Sequence, residues 1–268
     1  MNFDILLSLV LFLTMLATLF LYFRYENRVG SVFQEVKFRY YHGILLVIAM
    51  SIMLTLFVFI SSEAILILYL CAYFLGFFFF TYLFVPRWYL ALFTPVLFIA
   101  LYFARAPYWN LFTFDLFAIV FAIFISVYMG SLFMWKTTAV FVVLLTAMDI
   151  VNVLITGFIP ASAKILVGEL GLPVLVILPA FPSVGLYVAL GLGDFFLAGL
   201  LGIQSAKKYG KKFGFTSIAA ITLGFLVLDT VLLNYYPKSF PATVLVICGW
   251  LIALAGRYLY QLSLLRRG

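Results

Sequence analysis

Unbroken apolar runs of bilayer length constrain this chain more than any other feature. The stretch from Ile5 to Phe23, ILLSLVLFLTMLATLFLYF, contains no charged residue, and a helix needs roughly 20 apolar residues to cross a hydrocarbon core about 30 Å thick. Similar runs recur, separated by charged or proline-bearing breaks. They predict nine helices, at residues 4–23, 43–60, 64–85, 88–104, 112–132, 137–158, 183–205, 214–234 and 241–262. In lipid only helices and closed barrels satisfy every backbone polar group, and continuous runs are not the alternating pattern of barrel strands. Composition agrees: 67% of residues are hydrophobic and 9% charged, against roughly 45 to 50% apolar in soluble domains. The expected fold class is an all-α polytopic membrane protein with nine transmembrane helices. The first run lacks a basic n-region and a small-residue cleavage site, so it reads as a retained span, with the whole chain as the mature chain.

Lysine and arginine placement orients such a bundle, because cytoplasmic loops carry the excess of both. An odd number of spans puts the termini on opposite sides. The loops after spans one, three, five and seven, with the C-terminus, hold Arg24, Arg28, Lys37, Arg39, Arg87, Lys136, Lys207, Lys208, Lys211, Lys212, Arg266 and Arg267; the other side holds Arg105, Lys164 and Lys238. Arg257 is expected to snorkel toward the C-terminal side. The distribution predicts an N-terminus outside and a C-terminus in the cytoplasm. It also accounts for the net charge of +7 without nucleic acid as a partner, and topological anchoring suffices to explain the lysine-rich KKYGKK loop at 207–212.

Scarce residue types exclude several chemistries. Cys71 and Cys248 lie in apolar runs without CxxC spacing and read as buried small hydrophobes. His42 is the only histidine and follows a basic stretch, where a satisfied or solvated interfacial imidazole is expected. No HExxH zinc site and no membrane-embedded Ser/His couple can be built from it.

A charge near the centre of a span costs roughly 2.5 to 3.5 kcal/mol on insertion scales, so each one needs a reason. The span boundaries place three aspartates deep: Asp149 in LLTAMDIVNVL, Asp194 in VALGLGDFFLAG and Asp229 in LVLDTVLL. Asp4 and Asp115 fall at span ends and call for no special reading. Asp229 has no supporting pattern and reads as a neutral carboxyl bonded between helices, or as a surface aspartate. Asp149 and Asp194 differ. Asp149 follows Lys136 by thirteen residues and Asp194 precedes Lys207 by thirteen; at 1.5 Å per residue both lie about 20 Å from the cytoplasmic charges. Antiparallel neighbours would bring the two carboxyls level. Thr146, Asp149, Asn152 and Thr156 form a polar stripe on span six. Tyr187, Gly191, Asp194, Ala198, Gly202 and Ser205 form a mostly small-residue stripe on span seven, of the kind that lets helices approach closely in membranes. Gly191 and Gly193 are expected to allow that approach at the level of Asp194.

Two level carboxylates in a low dielectric cannot both ionise cheaply, so they should share a proton. The ionised member can take a proton from water attacking a peptide carbonyl, while the protonated member donates to the carbonyl oxygen. A proton- or ion-coupled transporter also uses intramembrane carboxylates and is the alternative. An inactive membrane scaffold is a third.

The residues around both aspartates resemble the presenilin and signal peptide peptidase family of intramembrane aspartyl proteases. GLGD, comprising Gly191, Leu192, Gly193 and Asp194, is similar to the family's GxGD motif. Met148 and Asp149 resemble its YD motif with Met in place of Tyr, and Pro241, Ala242 and Thr243 resemble its PAL motif with Thr in place of Leu. The resemblance implies a presenilin-like fold of nine helices with catalytic Asp149 and Asp194 on the sixth and seventh. It implies one domain over 1–268, with scaffold helices one to five in 1–135 and catalytic helices six to nine in 136–268. No metal or cofactor is implied; the implied partners are transmembrane peptide or protein substrates and the lipid bilayer. The N-out, C-in topology is similar to the signal peptide peptidase branch and implies type II membrane segments, including signal-peptide remnants, as substrates. A divergent prokaryotic, archaeal-type member is the kind of chain this resembles.

Peptide bonds in a membrane helix are shielded by their own hydrogen bonds, so a protease there must unwind its substrate. Between spans six and seven, Pro173, Pro179 and Pro182 punctuate the run Val174, Leu175, Val176, Ile177 and Leu178, which is too short for another span. These five residues are expected to form an edge strand to which unwound substrate adds by main-chain hydrogen bonds, with Pro241 to Thr243 shaping the cleft. A greasy interfacial loop or re-entrant turn is the alternative.

Overall fold

The computed structural model describes residues 3–32, 38–56, 60–183, 185–235 and 239–265. Lys37, Lys238, Arg266 and Arg267, which enter the orientation argument, lie outside the described residues. The helices are α1 (Leu6–Val32), α2 (Tyr40–Leu56), α3 (Ser62–Phe84), α4 (Trp88–Ala91), α5 (Phe93–Ala104), α6 (Leu111–Leu132), α7 (Trp135–Ile150), α8 (Phe158–Ala163), α9 (Leu192–Tyr209), α10 (Lys211–Tyr235) and α11 (Ala242–Leu265). Among the described residues six helices are long and apolar enough to cross a membrane: α1, α3, α6, α7 with its continuation to Ile155, α10 and α11. The helix α2 and the α4–α5 pair are apolar but shorter. Leu45, Ile67, Val143, Leu223 and Ile252 stand exposed on the outer faces, a surface suited to lipid and not to water. The chain is an integral multi-pass membrane protein.

The core centres on α9, whose residues from Phe195 to Ala206 are all buried. It packs against α1, α6, α10 and α11. Small residues set these spacings: a Cβ on Gly199 would lie 2.8 Å from Ser126 Oγ, and one on Gly224 would lie 2.8 Å from the Gly249 Cα where α10 crosses α11. Close backbone approach of this kind holds membrane helices together by packing and not by exclusion of water. The cluster around α9 takes in Leu7, Leu11 and Met15 of α1, Val127 of α6 and Phe141 of α7, so both halves of the chain contribute to one core.

The elements differ from the sequence reading at four places, three of them with a local cause. The expected span seven, 183–205, is a strand over Tyr187–Gly191 followed by α9. Pro182 and Gly185 begin this region, and an exposed, buried, exposed, buried alternation over Tyr187 to Leu190 matches a strand. Tyr187 and Gly191 therefore do not belong to the helical stripe, which begins at Asp194. Span four breaks at Leu92 into α4 and α5, because Pro95 in the first turn of α5 has no N–H to offer the preceding turn. Span six turns π-helical over Val151–Ile155 and stops at Gly157, whose φ of 69° is left-handed. The polar stripe runs from buried to exposed there: Asp149 and Asn152 are buried, and Thr156 is exposed while donating to Asn152 Oδ1 at 3.3 Å. Between Gly157 and the strands lie α8 and a second π-helical turn over Lys164–Glu169, where the sequence offered no helix. Cys71 is exposed on an apolar face and Cys248 is half-buried, so neither is the fully buried hydrophobe expected. The His42 Nδ1 accepts from the Arg39 N–H at 3.1 Å and its ring stacks on Phe38.

Candidate active site

Asp149 sits in the last turn of α7, immediately before the helix changes from α to π. It is buried. A π turn widens the helix locally and commonly marks a functional position. Asp194 lies in the first turn of α9, three residues after the strand ends. The stretches 136–149 and 194–207 are helical throughout, so the equal rise from Lys136 and from Lys207 holds in the folded chain. The two carboxylates are close enough for their charges to interact. The Oδ1 of Asp194 is buried and takes no hydrogen bond from the described residues.

Each aspartate is held by a different partner. Thr243, buried at the start of α11, donates from its hydroxyl to Asp149 Oδ2 at 2.6 Å, and its backbone N–H donates to the same carboxylate. The residue that departs from the family's PAL pattern thus touches Asp149 directly, a role its sequence position did not reveal. Asp194 receives the Gly191 N–H. A Cβ on Gly191 would lie 3.1 Å from Asp194 Oδ2, so glycine at 191 leaves room for the carboxylate to fold back onto its own backbone. A Cβ on Gly193 meets nothing within 4 Å. Close approach at the level of Asp194 is therefore a property of Gly191 alone, and it is an approach to Asp194 and not to span six. Met148 is half-buried against the core. Pro241 is buried just ahead of α11, where a missing N–H costs the helix nothing.

Strand β1 (Leu175–Pro179) pairs antiparallel with β2 (Tyr187–Gly191). The strand expected at Val174 to Leu178 is present one residue later, and its partner, which the sequence reading placed in a helix, delivers Gly191 to α9. The register matches Val176 with Leu190 and Leu178 with Val188, and the ladder is bracketed by Ala180 N–H to Leu186 C=O at 2.8 Å and Leu192 N–H to Val174 C=O at 3.1 Å. Antiparallel bonding alternates. Hence Tyr187, Ala189 and Gly191 of β2, and Leu175, Ile177 and Pro179 of β1, turn their backbone groups outward.

The outward edge of β1 is already engaged. Asp115, buried on α6, accepts the Ile177 N–H at 2.8 Å. Asp4, wholly buried, accepts the Phe181 N–H at 3.0 Å while also capping α1 through the Leu6 and Leu7 N–H groups. Three aromatic side chains fasten the approach to β1: Tyr102 to Leu170 C=O at 2.6 Å, Trp109 to Gly171 C=O at 3.0 Å and Tyr73 to Pro173 C=O at 2.8 Å. Sequence reasoning passed over Asp4 and Asp115 as span-end residues; they anchor the hairpin from α1 and α6. The first half of the chain therefore helps to build the site.

Two cavities flank this hairpin. One, of about 360 Å³, is lined by Tyr187, Ala189 and Leu190 of β2, by Asp229 of α10 and by Ala242 at the start of α11. The other, of about 390 Å³, is lined by Leu46 of α2, Tyr73 of α3, Phe121 of α6, Val174 and Gly193. The second is almost entirely apolar. Among the described residues no three His, Cys, Asp or Glu side chains are grouped as metal ligands.

This architecture matches a solved structure of a presenilin family intramembrane aspartate protease with a TM-score of 0.57 and 14% sequence identity. The match covers 92% of this chain and 97% of that one. No family model matches the chain, and no curated protein matches it by sequence. The fold is thus presenilin-like, over nearly the whole of both chains.

Proposed function

We propose that the chain is an intramembrane aspartyl endopeptidase of the presenilin and signal peptide peptidase type, with Asp149 and Asp194 as its dyad. One observation carries the reading: a buried carboxylate, Asp149, and a half-buried one, Asp194, from neighbouring helices lie within electrostatic reach of each other beside an open strand edge. The ionised member accepts a proton from water as the oxygen attacks the scissile carbonyl, and the protonated member donates to the carbonyl oxygen. Collapse of the tetrahedral adduct then breaks the C–N bond as the amine nitrogen takes up a proton. Gly191 and Thr243 hold the two carboxylates in place throughout.

The substrate edge in this reading is β2 and not β1. Asp115 occupies the outward Ile177 N–H, whereas Tyr187 and Ala189 turn their N–H and C=O groups toward the cavity that Ala242 closes. An unwound transmembrane segment gains main-chain bonds there, and the apolar cavity by Gly193 receives the part still helical. Nine spans with the N-terminus outside remain our topology. One end of the bundle supports it, where Lys208 lies 3.9 Å over the Trp135 ring, Lys211 4.6 Å over Phe23 and Arg257 4.5 Å over Tyr209; cytoplasmic ends carry the excess of lysine and arginine. With that orientation a type II substrate runs antiparallel to β2.

The test is incubation of the purified protein with a transmembrane peptide, with and without an aspartyl transition-state analogue, beside the Asp194→Asn variant. Analogue-sensitive cleavage by wild type alone is expected. Proton-coupled uptake into vesicles without cleavage across acidic to neutral pH would instead identify a transporter. Two further variants probe the supports of the dyad. Thr243→Val keeps the shape and removes a hydrogen bond to an ionisable group worth about 1.5 to 3 kcal/mol; kcat is expected to fall about tenfold, measured as initial cleavage rate. Gly191→Ala places a methyl against Asp194 Oδ2 and should lower kcat/KM by more than Gly193→Ala does, since the latter methyl meets open space. Equal losses in the two alanine variants would contradict the role given to Gly191.

A further inference from the structure

Asp229 is the one deep carboxylate that the proposed dyad does not use, and its surroundings do not match a hydrogen-bonded structural residue. Its Oδ2 is buried and has no donor among the described residues. It faces the cavity of about 360 Å³ that borders the open edge of β2, opposite Tyr187 and Val188, with Leu232, Leu233 and Phe240 around it. Asp4, at the start of α1, is near enough for its charge to interact with Asp229. That second carboxylate has already committed its oxygens to the Leu6, Leu7 and Phe181 N–H groups. Among the described residues no lysine, arginine or histidine lines this cavity. A buried carboxylate without a donor is costly unless a partner arrives to satisfy it. Apart from the Tyr187 hydroxyl and the outward backbone groups of β2, the described side chains of the wall are apolar, which strengthens an ion pair formed there relative to one in water.

We infer that Asp229 is a specificity residue of the substrate groove, which selects transmembrane substrates carrying a lysine or arginine on the flank that runs along β2 toward Tyr187. The inference rests on the protease reading and on substrate adding to β2. A strand on that edge takes its backbone bonds from Tyr187, Ala189 and the Gly191 C=O, the Gly191 N–H being held by Asp194, so its side chains are what remain to meet Asp229. A long cationic side chain suits the place, because its methylenes lie along Leu232, Leu233 and Phe240 while its head reaches the carboxylate. A neutral residue leaves Asp229 as unsatisfied in the complex as before it.

The experiment uses the full chain in proteoliposomes and a set of transmembrane peptides. In each, a single lysine or its neutral counterpart, norleucine, occupies successive positions on either side of the cleavage site. For wild type, lysine at one or two positions on one flank should raise kcat/KM about tenfold over norleucine at the same position. The readout within each variant is this ratio, which a general loss of active protein does not move. Asp229→Asn should bring it to about one, Asp229→Glu should retain it and Asp229→Lys should invert it in favour of a glutamate peptide. For any variant that cleaves too slowly, competition of the same peptides against a labelled transition-state analogue gives the ratio as binding. A wild-type ratio near one at every position, or a ratio unchanged in Asp229→Asn, overturns this inference and leaves the protease standing. Absence of cleavage of every peptide by wild type overturns both.

Discussion

Asn in place of Asp194 is expected to reduce cleavage of a transmembrane peptide by about 10³-fold or more while leaving the fold intact. The substitution preserves shape and an acceptor for the Gly191 N–H, and α9 is buried by helix packing that does not involve the carboxylate. What it removes is the ability to hold or release a proton. The same substitution at Asp149 should be as severe, although that side chain keeps its bond from Thr243. Groups that act as a unit are strongly non-additive in catalysis. The double variant should therefore be no slower than either single variant, a result that independent roles would not produce. Initial rates on one peptide, with helicity and melting temperature compared alongside, decide the matter. Residual activity within tenfold of wild type in either single variant would remove that aspartate from the dyad. Because wild type depends on one proton shared between two groups, its rate should also pass through a maximum with pH.

The parts of this site that were legible in sequence are those that leave a local or periodic trace. Apolar runs mark helices because lipid leaves the backbone no alternative. Asp149 and Asp194 stand out because a carboxylate in such a run is expensive, and their equal rise from Lys136 and Lys207 needs only a helix pitch to interpret. The run between Pro173 and Pro182 is strand-like for the same local reason. Its partner was hidden: Tyr187 to Gly191 continues an apolar stretch into α9, and periodicity alone does not separate a short buried strand from a helix. Long-range hydrogen bonds leave even less trace. Asp115 reaches Ile177 across 62 positions and Thr243 reaches Asp149 across 94, and no spacing rule joins such pairs. Asp4 and Asp115 read as ordinary span-end charges because the segment they hold lies elsewhere in the chain. For Asp229 the sequence leaves two alternatives, a carboxyl bonded between helices or a surface aspartate. The structure sets it half-buried beside β2, with an Oδ2 that is buried and has no donor among the described residues.

If β2 is where substrate unfolds, Ala189→Pro should be the most damaging single change outside the dyad. The Ala189 N–H points away from β1, so proline there removes no hairpin bond; proline is tolerated in strands where its nitrogen faces outward. It does remove a donor from the middle of the open edge and places a ring where the substrate backbone would approach. Loss of one main-chain bond together with that obstruction should lower kcat/KM by about 10²-fold, at close to one kcal/mol for the bond itself and the remainder from poorer alignment of the scissile carbonyl. Leu190→Pro is the matched contrast. Its N–H belongs to the Val176–Leu190 pair, so proline there should break the hairpin and lower thermal stability as well as activity. Activity loss in Ala189→Pro at an almost unchanged melting temperature is the expected signature. A substrate in which one amide is replaced by an ester, removing the N–H that would bond the Ala189 C=O, should be cleaved more slowly by wild type. In Ala189→Pro, where that stretch of edge no longer aligns substrate, the ester should cost little more, because two changes to one contact do not add. Full additivity of the two losses would place the substrate backbone somewhere other than β2.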